Sequence, residues 1–217
     1  LGAVTVGLSL LGLAAGRGVS PWRMELGRAP AIGTLALGAI ALAGGQRLWL
    51  ELLPAFVWLC VALAFARRHP GRVRGLGLVA SQAIADPPEK KAGRYQMAER
   101  VEAGGVGEVG ESMHALLTAD VDLQAALKQL ILRQSPEGVA GALRAIAERP
   151  DSTDILPNFN FPVVIIHGLA DKIIPIERAR EVQAMVKGSH LVEIEGAGHM
   201  PMMEAPQVTA EALKTLL

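Results

Sequence analysis

Apolar and polar residues follow two different periods in the last part of the chain. Residues 161–168, FPVVIIHG, form a short β-branched run of the kind typical of a buried parallel strand. Residues 190–196, HLVEIEG, alternate and predict a second strand, whereas residues 175–188 and 205–217 repeat apolar residues at helical spacing. Strand, helix, strand and helix joined by short connections predict a right-handed β-α-β arrangement in a parallel sheet.

The middle of the chain predicts one more strand and then a long helical region. Residues 72–81, RVRGLGLVAS, predict a buried strand, and residues 61–71 before them predict a helix. Between residues 86 and 156 no convincing strand occurs, and apolar residues recur at helical intervals in 92–105, 121–134 and 136–150. The last two segments have a nearly continuous apolar face, which is expected either of a lid over a pocket or of an ordinary helical insertion.

Residues 1–51 are apolar and rich in glycine, without a clean period of either kind. Residues 29–45 are about as long as the shortest membrane span, and the arginines of residues 67–74 could anchor one. Against a membrane topology, Glu51 and Pro54 interrupt the next apolar run, and the arginines lead directly into a predicted strand. We therefore expect no membrane partner, with an integral membrane protein as the alternative.

Composition limits the function classes further. The 217 residues have a formal net charge of zero, which does not favour a nucleic-acid partner. Cys60 is the only cysteine, so an internal disulfide and a cysteine-based zinc site are excluded, and a reducing, cytoplasmic location is expected. The length suits one sizeable α/β core, and the first residue, Leu1, suggests a fragment or a processed product. Composition does not predict the oligomeric state.

Residue usage changes abruptly at Asp86. Before this position the chain has no Asp, Asn, Lys or Tyr, and Glu25 and Glu51 are its only acids. High-GC coding sequence read out of frame produces this kind of composition. A reading-frame or assembly discontinuity close to residue 60 is therefore one hypothesis for the first part of the chain.

Two candidate catalytic residues follow the predicted strands 161–168 and 190–196. Asp171 stands three residues beyond Gly168, and His199 lies in a glycine-rich turn after the second strand. Ligands bind beyond the carboxyl ends of strands in open α/β sheets, and a carboxylate there can orient an imidazole and stabilise its charged form. Asp171 could instead cap a following helix, and His199 could be an ordinary turn histidine.

These two segments resemble a known family. PVVIIHGLADKIIP and VEIEGAGHMPMMEAP are similar to the closing segment of the α/β-hydrolase fold, in particular to its branch of esterases and 3-oxoadipate enol-lactonases. The resemblance covers residues 61–217 and implies that Asp171 is the acid of a catalytic triad and His199 its base. It also implies that residues 61–71 form a buried helix of a hydrolase core.

The resemblance further implies an α/β fold, a parallel sheet flanked by helices, with a helical cap. The core would consist of residues 61–85 and 156–217, and the cap of residues 86–155. Residues 1–60 would form a truncated or aberrant apolar segment outside this pattern.

The nucleophile elbow of the family, G-x-S-x-G, has no match in this chain. Counting back from residue 61 places the serine position on Phe56, where residues 54–60 read PAFVWLC. Cys60 falls inside the predicted helix, and Ser9 in VGLSLLG is only partly elbow-like, so neither is assigned as the nucleophile. Ser81, at a predicted strand end, is expected to line the pocket.

The resemblance implies a hydrolase of small carboxylic esters or lactones that uses a Ser-His-Asp mechanism without a metal or organic cofactor. Two alternatives remain open. One is a non-catalytic remnant or binding protein with a hydrolase-like fold, and the other is a membrane protein with a hydrolase-like tail.

Overall fold

A parallel three-stranded sheet lies at the centre of the computed structural model, which describes residues 62–216. The strands are β1 (Leu76–Val79), β2 (Val163–Gly168) and β3 (His190–Ile194), and β2 lies between the other two. Both neighbours run parallel to β2. The β-branched run in β2 is buried along its whole length, as its composition predicts.

Helices connect these strands and cover them. They are α1 (62–68), α2 (Pro88–Gly104), α3 (Gly107–Leu117), α4 (Val121–Leu132), α5 (Pro136–Ala147), α6 (Ile176–Met185), α7 (Pro201–Glu204) and α8 (Pro206–Lys214). Short 3₁₀ helices occupy Pro70–Arg72 and Thr153–Asn158.

The side chains of β2 enter two separate cores, because successive residues of a strand point to opposite faces. Val164 and Ile166 pack with residues of α3, α4, α7 and α8 in one core. Val163 and Ile165 pack with residues of α1 and α6 in the other. Helices therefore cover both faces of the sheet, and the predicted α/β architecture is confirmed.

Along the chain, the four helices α2 to α5 separate β1 from β2, and we call residues 88–147 the helical insertion. Helices α2 and α5 pack around a small core of their own, which includes Ala98, Val101 and Val139. Helices α3 and α4 instead extend the first core of the sheet, through Leu117 and Leu127 among others. This half of the helical insertion is therefore continuous with the apolar core on one face of the sheet.

Helix α3 is the longest element that sequence patterning does not predict. Its two glycines, Gly107 and Gly110, lower the intrinsic helix propensity of a short segment. Gly110 has a packing role, because a Cβ atom there would lie 3.1 Å from the side chain of Leu132 in α4. Tertiary contact between α3 and α4 thus outweighs the local preference.

Helix α1 packs in the second core through Ala62, Leu63 and Ala66, as expected for residues 61–71. Within residues 62–216, no helix combines the length and the apolar character that crossing a membrane requires. The predictions made for residues 1–60, including those for Ser9, Phe56 and Cys60, lie outside the described residues.

Candidate active site

The loops that follow β2 and β3 touch at the carboxyl edge of the sheet. Gly168 pairs with Ile194 at the ends of the two strands, so the loops leave the sheet side by side. A Cβ atom on Gly168 would lie 2.2 Å from the carbonyl oxygen of Gly198 and 2.3 Å from that of Ala197. Only glycine permits this approach, and the N–H of Ala170 then donates to the oxygen of Ala197 at 2.9 Å.

Asp171 is held rigidly in the first of these loops. Its Oδ1 atom accepts hydrogen bonds from the N–H groups of Ile173 at 2.8 Å and Ile174 at 3.0 Å. Its side chain is 0% exposed. The alternative role as a cap of the following helix is not observed, because Pro175 is the N-cap of α6 and that helix has no side-chain cap. The turn instead leaves Oδ2 pointing towards the second loop.

His199 meets that oxygen. Its Nδ1 atom lies 2.7 Å from Oδ2 of Asp171, and the imidazole is 1% exposed. A carboxylate can only accept a hydrogen bond, so Nδ1 carries the proton. In the neutral imidazole the lone pair is consequently on Nε2, which is the atom that can take a proton from a substrate or a nucleophile.

Asp171 is ionised at neutral pH. Burial by itself raises the pKa of its carboxyl group, but the hydrogen bond and charge of His199 lower it, as do the N–H groups of Ile174 and Ile173. The net result is a pKa below the ordinary value of an aspartate. The imidazole of His199 therefore lies against a carboxylate that carries a negative charge.

His167, the residue before Gly168 in β2, also belongs to this site. Its side chain is 0% exposed, and Nε2 lies 3.4 Å from Oδ2 of Asp171. Nε2 donates to the carbonyl oxygen of Ile174 at 2.9 Å, so it carries the proton of the neutral ring. Nδ1 is buried and has no hydrogen-bond partner among the described residues. Through its bond to Ile174, His167 holds the far end of the Asp171 loop.

Sequence reasoning misses His167, since a histidine at the end of an apolar strand is not distinctive. The one available signal is its position four residues before Asp171. Ser81 follows β1 closely and is 6% exposed, and its role in lining a pocket stays a prediction. The nucleophile candidates Ser9 and Cys60 lie outside the residues that the structure describes.

Among residues 62–216, no cluster of three or more His, Cys, Asp or Glu side chains could hold a metal ion. A cavity of about 130 Å³ lies between α1 and the segment after α5, away from Asp171 and His199. Arg67, which helps to line this cavity, pairs with Asp154, and the buried Arg149 donates to the carbonyl oxygens of Ala83 and Ile84.

Comparison with known proteins gives a match to a family described as the alpha/beta hydrolase family over residues 2–212. The matched range begins at residue 2, whereas the resemblance described above was expected to begin only at residue 61. The pimeloyl-[acyl-carrier protein] methyl ester esterase of Neisseria meningitidis serogroup B (strain MC58) is 32% identical over 160 residues, which cover 69% of this chain and 62% of that protein. The enzyme of the same name from Aromatoleum aromaticum is 27% identical over 173 residues, covering 72% of this chain and 69% of that protein.

Solved structures have the same fold. A thermophilic esterase from Thermogutta terrifontis has a TM-score of 0.67 and 37% identity, and the match covers 72% of this chain and 61% of the esterase. The enol-lactonase from Burkholderia xenovorans LB400 has a TM-score of 0.59 at 20% identity, covering 71% and 60% of the two chains. The chain thus spans about three fifths of the length of the Neisseria relatives and of these structures.

Proposed function

Because the chain belongs to the alpha/beta hydrolase family, we propose that it hydrolyses small carboxylic esters, with Asp171 and His199 as the acid and base of a Ser-His-Asp triad. The observation that carries this proposal is the 2.7 Å contact between His199 Nδ1 and Asp171 Oδ2, made by two side chains with almost no exposure to solvent. Relatives with sequence identities of 32% and 37% are esterases, which supports the same reaction class.

The chemistry proceeds in two balanced halves. In the first, the oxygen of the triad serine, a residue that no G-x-S-x-G motif identifies in this chain, bonds to the ester carbonyl carbon while Nε2 of His199 takes the hydroxyl proton. The bond from that carbon to the alcohol oxygen then breaks, and the alcohol leaves with the proton. In the second half, water adds to the acyl carbon while Nε2 of His199 takes one of its protons. The bond from that carbon to the serine oxygen then breaks, the serine oxygen takes the proton back from His199, and the carboxylic acid is released. Backbone N–H groups stabilise the oxyanion in both halves.

Asp171 contributes by orientation and charge rather than by taking a proton. Its turn with Ile173 and Ile174 holds Oδ2 towards His199, and its lowered pKa keeps it ionised. Burial of the pair strengthens the interaction, since water does not compete for these groups. Removing such a partner from a triad costs about four powers of ten in kcat.

The substrate class proposed is a carboxylic ester of a small alcohol, such as a methyl ester. The curated relatives are pimeloyl-[acyl-carrier protein] methyl ester esterases by name. The helical insertion would serve as the cap over the bound acyl group, since α3 and α4 extend the core at the edge of the sheet where Asp171 and His199 meet. A lactone, which is a cyclic ester, would be cleaved by the same steps.

A second candidate is a non-catalytic protein with a hydrolase fold. The observation in its favour is the sequence PAFVWLC at residues 54–60, where the family has its serine elbow. Phe56 stands at the serine position, and phenylalanine cannot attack a carbonyl carbon. Such a protein would bind a small ester without converting it.

Hydrolysis of p-nitrophenyl butyrate and of a dicarboxylic acid monomethyl ester by the full chain tests these alternatives. His199→Ala should lower kcat by at least about a thousandfold. The matched control is His190→Ala, since His190 is exposed at the opposite end of β3. Activity that survives His199→Ala would refute the assignment of the base. No turnover in the parent chain, despite saturable binding of the ester, would favour the non-catalytic protein.

A further inference from the structure

Three consecutive backbone N–H groups around His199 each have a defined acceptor. The N–H of Gly198 donates to Oε2 of Glu204 at 2.9 Å, and the N–H of Met200 donates to the same oxygen at 3.1 Å. The N–H of His199 itself donates to the carbonyl oxygen of Leu117 at 2.9 Å. The peptide groups on both sides of the imidazole are therefore fixed by one carboxylate, and the residue between them by the end of α3.

The second oxygen of Glu204 is also used. Oε1 accepts a hydrogen bond from the hydroxyl group of Thr118 at 2.6 Å, and Thr118 is 2% exposed. The Thr118 oxygen in turn accepts from the N–H of Asp120, the N-cap residue of α4, at 3.1 Å. Thr118 thus lies between α3 and α4 and joins both helices to the carboxylate that holds the His199 loop.

This arrangement joins segments that are distant in the chain. Thr118 and Glu204 are 86 residues apart, and the first belongs to the helical insertion whereas the second closes the short helix α7. Gly198 completes the contact, because a Cβ atom there would lie 3.0 Å from the oxygen of Leu117 and 3.4 Å from Oε1 of Glu204. The loop therefore has little freedom to shift while these bonds hold.

We propose that Glu204 is a positioning residue for His199 and that Thr118 makes this positioning depend on the helical insertion. The proposal rests on the hydrolase function proposed above for its effect on rate, but not for its effect on the geometry of the imidazole. Glu204 holds the backbone so that Nδ1 faces Asp171, and movement of α3 or α4 is transmitted to the base through Thr118 and Leu117. Misplacement of a catalytic group by about 1 Å costs about a hundredfold in rate.

Three substitutions separate this role from a general contribution to folding. Glu204→Ala removes the acceptor of the Gly198 and Met200 N–H groups and of the Thr118 hydroxyl group. Glu204→Gln keeps one carbonyl oxygen for the N–H groups of Gly198 and Met200 and presents an NH₂ group to the Thr118 oxygen, which can accept as well as donate. Thr118→Val removes the hydrogen bonds of the Thr118 hydroxyl group with Glu204 and Asp120 and leaves the bond from His199 to Leu117 in place. Glu211→Ala is the control, since Glu211 is an exposed acid on α8 whose partner is Lys214.

The first measurement is independent of turnover. The Nδ1 proton of His199, bonded to Asp171, should give a low-field proton NMR resonance in the full chain. The Nε2 proton of His167, bonded to Ile174, provides an internal reference from a neighbouring ring that does not contact Glu204. We expect the His199 resonance to be lost or shifted in Glu204→Ala and Thr118→Val while the His167 resonance stays, and to be retained in Glu204→Gln and Glu211→Ala.

The second measurement is the steady-state rate of ester hydrolysis. Glu204→Ala should lower kcat by about tenfold to a hundredfold with little change in KM, and Glu204→Gln should recover most of the loss.

A normal His199 resonance in folded Glu204→Ala would overturn the proposal. A Glu204→Gln variant whose kcat is no higher than that of Glu204→Ala would overturn it as well. If Glu204→Ala does not fold, a normal His199 resonance in Thr118→Val overturns the link to the helical insertion. A parent chain that shows the resonance but hydrolyses no ester would refute the proposed function and leave the positioning role intact.

Discussion

Asp171 and His199 are 28 residues apart in the chain, and their side chains meet at 2.7 Å in a site closed to solvent. The two residues are in contact because β2 and β3 are neighbouring parallel strands. The loops that follow them therefore lie at the same edge of the sheet. The contact also fixes which nitrogen of His199 carries the proton.

Asp171→Asn should abolish most of the activity by reversing the tautomer of His199. The amide oxygen would replace Oδ1 as the acceptor for Ile173 and Ile174, so the NH₂ group would face Nδ1. The imidazole proton would then be on Nε2, which could no longer accept one. We expect kcat to fall by about four powers of ten in the ester assay. Asp122→Asn, at an exposed acid of α4, should retain the parent rate; equal rates for the two variants would contradict the assignment.

The stability that Asp171 contributes should disappear in acid. Its pKa in the folded protein lies below the unfolded value of about 3.9, so folding favours the ionised form. This contribution is fully present at pH values above the pKa of Asp171 in the unfolded protein. It is lost as the pH falls through the pKa of Asp171 in the folded protein. Urea unfolding of the parent and of Asp171→Asn should give the largest difference in free energy at neutral pH, and this difference should shrink as the pH falls below about 3.9. A difference that does not change with pH would exclude this linkage.

Gly168→Ala should destabilise the protein because the new methyl group would collide with two carbonyl oxygens of the His199 loop, at 2.2 and 2.3 Å. We expect a loss of about 2–3 kcal/mol in the free energy of unfolding. Gly141→Ala is the matched control, since Gly141 is an exposed residue of α5 with no atom within 4 Å of an added Cβ. That variant should be more stable than the parent by about 0.5–1 kcal/mol. Equal stabilities of the two variants in urea would show that the loops can separate freely.

His167→Phe should weaken the Asp171 loop at its far end. The substitution keeps an aromatic ring in the core but removes the N–H that donates to the oxygen of Ile174. Leaving this acceptor without its partner should cost about 1–3 kcal/mol. His190→Phe, at an exposed position of β3, should stay within about 0.5 kcal/mol of the parent. Urea denaturation measures both, and a His167→Phe variant as stable as its control would argue against a role for this hydrogen bond.

The elements predicted from the sequence are those in which the local pattern and the tertiary environment agree. Helix α6 and strand β2 are examples, since proline and glycine bound both of them. Apolar residues recur at helical spacing in α6, and β2 is one continuous β-branched run. Helix α3 was missed because its glycines oppose a helix locally, while packing of Gly110 against Leu132 favours one. The sequence does not point to His167, because a histidine near the end of an apolar strand does not show which hydrogen bond its ring makes.

The amino-acid sequence by itself predicted the parallel strands and placed Asp171 and His199 as candidates after two of them, because the carboxyl ends of parallel strands share one edge of a sheet. Only the tertiary structure decided what surrounds that pair. Glu204, Thr118 and Leu117 hold the backbone of His199 through hydrogen bonds between segments up to 86 residues apart in the chain. Contacts between such distant segments leave no periodic pattern and no fixed spacing in the sequence. They form only when the helical insertion packs against the sheet.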